Sequence, residues 1–69
     1  MKIKEYDLTY VTKDKKVVGG KNKIHLIPEY NVGDEIGIIG KFSTKHYRVL
    51  QMFVYEEKAK IIVVVEQIK

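Results

Sequence analysis

From Lys2 to Thr12 apolar and polar positions alternate, with Tyr6, Leu8 and Tyr10 on one side and Glu5, Asp7 and Thr9 on the other. A period of two marks a strand with one dry and one wet face. Lys13-Asp14-Lys15 then reads as a hairpin turn, and Lys16-Val17-Val18 opens a return strand. The Gly19-Gly20 pair interrupts that return, which predicts a bulge or a second turn. An extended run resumes from Lys23 to Ile27 and closes at Pro28, whose nitrogen cannot donate to a ladder. Glu29 to Asp34 is turn-like, because Asn31, Gly33 and Asp34 all tolerate unusual backbone angles. Glu35 to Phe42 predicts another strand, its two glycines implying tight curvature or a close neighbour, and Ser43-Thr44-Lys45 a short connection.

The strongest pattern runs from His46 to Lys69, where two long apolar stretches flank Glu56-Glu57-Lys58-Ala59. Ile61-Ile62-Val63-Val64-Val65 is five consecutive β-branched residues, which lose χ1 freedom in a helix and pack well on a pleat. A helix over residues 44–60 is the competing reading, since Tyr47, Leu50 and Val54 fall at i, i+3 and i+7. That helix would carry Val49, Met52, Phe53 and Tyr55 off its stripe and have no polar face, so two long strands are preferred. In regular alternation Leu50, Met52 and Val54 share one face of the first strand, and Tyr47, Val49, Phe53 and Tyr55 the other. Both faces are then apolar. Either the sheet curls and other segments cover it, or Tyr47, Val49, Phe53, Tyr55, Ile62 and Val64 meet a second copy of the chain. A homo-oligomer formed through this 47–68 hairpin is expected.

With 69 residues and no cysteine, the chain has room for one small domain, residues 1–69, held by packing or self-association rather than disulfides. Its apolar runs are too short and its charged fraction, 32%, too high for a membrane span, and no export signal precedes the first strand, so the expected location is cytoplasmic. The net charge of +4 is unevenly placed. Residues 13–23 carry Lys13, Lys15, Lys16, Lys21 and Lys23 against Asp14 alone, and residues 41–48 carry Lys41, Lys45 and Arg48 with no acid. If the fold joins these stretches, they form a cationic patch with Phe42, His46 and Tyr47 interleaved. Cations that track phosphates beside rings that stack on bases suit single-stranded nucleic acid. Against this, twelve of the thirteen basic residues are Lys, which lacks the guanidinium fork and equally protects exposed strand edges.

Nothing in the sequence assembles into a catalytic site. Ser43, the single serine, precedes His46 by three residues, but no local acid orients the histidine. His25 and His46 lack metal-ligand spacing, Gly40-Lys41-Phe42 departs from a phosphate loop, and Asp34-Glu35 and Glu56-Glu57 read as turn residues. No enzyme, metal or small-molecule cofactor is expected.

Val32-Gly33-Asp34-Glu35-Ile36, followed by Gly37-Ile38-Ile39-Gly40-Lys41, resembles the strand-opening phrase of small SH3-like and OB-like barrels. It spans about ten residues and implies architecture only. Peptide-binding SH3 domains use an acidic, Trp-containing groove, whereas this chain has no Trp and basic loops, which disfavours Pro-rich ligands. An OB barrel would interpose a helix where Ser43 to Lys45 leaves no room for one. The expectation is a mostly β fold, either a small curved antiparallel sheet or an SH3-like/OB-like barrel of five to six strands with a long C-terminal hairpin. Its expected function is non-catalytic binding of single-stranded or structured nucleic acid. The alternative is a self-associating interaction or assembly subunit, such as a small phage or mobile-element protein.

Overall fold

The computed structural model describes residues 4–40 and 42–68, without the side chains at 21 and 22. Five strands form in chain order: β1 (Tyr6–Val11), β2 (Val17–Ile24), β3 (Glu35–Ile39), β4 (Thr44–Tyr55) and β5 (Lys60–Gln67). They make one sheet in the order β2-β1-β5-β4-β3, curled into an open half-barrel with β2 and β3 as its edges. Residues 44–60 form β4, a turn and the first residue of β5, with no helix among the described residues, so no helix there is long and apolar enough to cross a membrane. The predicted connection Thr44-Lys45 is already strand, and the Lys23–Ile27 run ends early because β2 stops at Ile24.

Turn chemistry accounts for the local geometry. Lys15 N–H donates to Thr12 C=O at 2.9 Å and Thr12 N–H to Lys16 C=O at 2.9 Å, closing a three-residue hairpin loop with Lys15 at φ 66°. A left-handed residue at the end of such a loop matches the right-handed twist of the flanking strands. Gly20 sits at φ 100° where the β1–β2 register slips, Leu8 facing Asn22 and Thr9 facing Gly20. The glycine pair is therefore a bulge inside one strand and not a second turn. Gly33, φ 98°, is the third residue of the Asn31–Asp34 turn, and its N–H donates to Val49 C=O at 2.8 Å.

Three strand pairs are antiparallel, but β1 and β5 run parallel, with Leu8 opposite Ile61 and Tyr10 opposite Val63. The parallel pair follows from the 25–34 connection, which leaves β2 at one edge and enters β3 at the other. The β3-β4-β5 meander then returns inward until β5 lies along β1.

The concave face carries the core: Tyr6, Leu8, Tyr47, Val49, Ile61, Val63 and Val65, with Met52 and Val54 packed against it. Regular alternation predicts Val49 and Met52 on opposite faces. A register shift between Val49 and Gln51 corrects that assignment, because Leu50 is an extra residue that puts Tyr47, Val49, Met52 and Val54 together on the inside. One bulge exchanges the faces of everything beyond it. Phe53, Tyr55, Ile62 and Val64 fall on the convex face, where the Phe53 and Tyr55 rings stack at 6.3 Å. Ile61, Val63 and Val65 have no solvent exposure, and each buried side chain of this kind stabilises the fold by roughly 1.5–3 kcal/mol.

Candidate nucleic-acid interface

Curling brings the two edge strands together on the concave side without pairing them. Gly19 of β2 lies so near β3 that a Cβ there would be 2.9 Å from Ile38 Cγ2. Around this contact opens a solvent-accessible cleft of about 860 Å³, walled by the two edges and crossed by the 25–34 connection. That connection delivers Tyr30 onto Tyr10, with hydroxyl oxygens 2.7 Å apart and rings edge to face at 6.3 Å. Burial, reinforced by the Tyr30 hydroxyl, pushes the Tyr10 phenol well above its ordinary value, so Tyr10 remains a neutral donor or acceptor.

The cleft has a distinct electrostatic character. Lys16, from the turn side of β2, and Lys45, from β4, both line it, together with Phe42 and Ser43. Among the described residues no carboxylate lines it. Lys45 points inward because it pairs with Ile38, just as Tyr47 pairs with Ile36. Two cations with no acid beside tyrosine rings can hold an anionic ligand that also has an apolar surface.

The same alternation divides the basic patch expected from sequence. Lys45 and Tyr47 face in, whereas His46, opposite Gly37, and Arg48, opposite Glu35, face out. His46 and Arg48 line a separate depression of about 360 Å³ with Glu35 and Ile68. Arg48 lies 3.6 Å and Lys13 4.0 Å from the Glu66 carboxylate on the convex face, so both basic charges already have an acidic partner. Lys23 is opposite Asp7, and Lys15 is exposed at the hairpin tip. Lys41 and the side chain of Lys21 lie outside the described residues.

Of the rings expected to stack, Phe42 is 94% exposed and His46 is exposed, but Tyr47 is a buried wall of the core. Tyr47 and Val49 are likewise withdrawn from the expected self-association surface, 4% and 1% exposed, because the Leu50 bulge turns them inward. Phe53, Tyr55, Ile62 and Val64 remain on the convex side. The sequence reading missed Tyr10 and Tyr30 as cleft residues. Tyr10 belongs to an alternating apolar row, and the only signal at Tyr30 is a lone aromatic ring in a turn-like stretch.

Ser43 and His46 are both exposed, and His46 lies opposite Gly37 on the outward side of β4. The chain matches no known protein-family model, no curated protein and no solved structure.

Proposed function

We propose that this protein binds single-stranded or structured nucleic acid without catalysis, using the cleft between β2 and β3. The observation that carries the reading is the cleft's composition: Lys16 and Lys45 converge there with no carboxylate among the described lining residues. Phe42, 94% exposed, stands beside them. Lysines neutralise phosphates through a salt-sensitive attraction, and exposed rings stack on bases whatever their identity. Titration of a labelled oligonucleotide at rising salt tests the proposal. Affinity should fall steeply with salt, and Lys16→Gln or Lys45→Gln should each weaken binding and flatten the salt slope by about one. Absence of binding at low salt, or binding indifferent to salt, overturns it.

A second reading, a self-associating assembly subunit, is favoured by the convex face. Phe53 and Tyr55 are 38% and 43% exposed there, beside half-buried Ile62 and Val64. Light scattering at high concentration decides it. A monomeric wild type ends this reading, whereas an oligomer dissociated by Val64→Lys supports it.

A further inference from the structure

The cleft is closed at one point and open around it, because Ile38 packs across the backbone of Gly19. Inside the cleft the Tyr10 and Tyr30 hydroxyls bond to one another at 2.7 Å. Two phenols carry two protons, and their mutual bond uses one of them, leaving one donor and the remaining oxygen lone pairs for a ligand. Phosphate oxygens only accept hydrogen bonds. A nucleobase edge both donates and accepts, and its flat face matches an aromatic wall. The cations come from other places in the chain: Lys16 follows the β1–β2 turn and Lys45 is the second residue of β4.

We propose that the cleft admits one unstacked nucleobase, its edge meeting the Tyr10–Tyr30 hydroxyl pair while Lys16 and Lys45 hold the flanking phosphates. This rests on the nucleic-acid reading above. A volume of about 860 Å³ lies in the range of small-ligand sites and suits a nucleotide, whereas a duplex keeps its base faces stacked and hidden. The site would then select unpaired over paired nucleic acid.

The test compares three probes of equal length with the full chain at one low salt concentration: an oligothymidylate, the same backbone with abasic sugars, and a self-complementary duplex. The oligothymidylate should bind roughly tenfold or more tighter than the abasic strand, the scale of a base stacked on a ring. Tyr30→Phe, which keeps the ring and removes the hydroxyl, should narrow that ratio without changing the salt slope. A 2-aminopurine placed in the strand should change its fluorescence on binding as it leaves its neighbours. Equal affinity for base-bearing and abasic strands, or unchanged 2-aminopurine emission on binding, overturns the base-in-cleft proposal and leaves the electrostatic reading standing. No binding of any probe removes the nucleic-acid reading itself, and this proposal with it.

Discussion

Gly19 and Ile38 meet across the seam of the half-barrel, where a Cβ on the glycine would stand 2.9 Å from Ile38 Cγ2 and 3.3 Å from Cδ1. Two edge strands that share no ladder are thus kept in register by a branched side chain seated on bare backbone. Gly19→Val should force the edges apart, destabilising the fold by about 1–3 kcal/mol as overpacking does. Ile38→Ala in the same chain should recover part of that loss, with a coupling of at least about 0.5 kcal/mol in a double-mutant cycle followed by urea denaturation. Strictly additive losses would show that the seam contact carries no energy.

Gly20 poses a harsher constraint than its neighbour. A Cβ there would collide with the Leu8 carbonyl oxygen and lie 2.7 Å from Thr9 Cα, on a residue at φ 100°. Backbone cannot yield as a side chain does, so Gly20→Ala is expected to cost at least about 2 kcal/mol, read as a lowered melting temperature.

The opposite change is expected at Lys15. Its φ of 66° places an exposed, Cβ-bearing residue in the left-handed region at the hairpin tip. Lys15→Gly should stabilise by about 0.5–1 kcal/mol, the relief of left-handed strain exceeding the extra entropy lost by glycine. Because Lys15 lies outside the cleft lining, oligonucleotide affinity at moderate salt should change little.

Acid should loosen the contact between the N-terminal end of β1 and the β4–β5 turn. Tyr6 hydroxyl donates to Glu56 Oε2 at 2.6 Å, and Lys4 Nζ lies 3.1 Å from the same oxygen. The Tyr6 hydroxyl first, and Lys4 second, hold the Glu56 carboxyl below its ordinary value. A carboxyl depressed in the folded state stabilises above its unfolded value and loses that contribution as pH falls through the folded one. Glu56→Gln should therefore lower the melting temperature at pH 7, with the gap to wild type closing as pH drops below about 4. A gap that does not change with pH would sever this link.

Alkali should act through Tyr10. Its phenol is raised by burial and by Tyr30, so the folded state favours the neutral form. That stability is complete below the unfolded phenol value, near 10, and is lost as pH climbs beyond it toward the folded value. Tyr10→Phe should remove this alkaline component of the loss, measured by thermal melts between pH 9 and about 11.5.

Much of the fold was legible in residue order, and the site was legible only in part. Alternation in Tyr6-Leu8-Tyr10, the β-branched run Ile61–Val65 and the polar turn at residues 56–59 each specify local backbone, and local backbone is what period and turn chemistry encode. Leu50 shows where that stops. A bulge there put Val49 and Met52 on the same face, and no residue in the Leu50-Gln51 pair announces one, unlike the glycines at 19 and 20. The basic stretches were visible as composition, yet a strand's period of two sent Lys45 inward and Arg48 outward to Glu66.

The sequence by itself determined a mostly β fold, several of its turns and the stock of lysines and rings. Tertiary structure alone decided that β5 lies parallel to β1, that β2 and β3 face one another, and that Tyr30 reaches Tyr10 to finish the cleft. The division has a physical cause: strands and turns follow from bonds and contacts between near neighbours in the chain. A cleft between edge strands depends on how far the whole sheet curls and where a distant connection crosses it, and neither is written in any short stretch of residues.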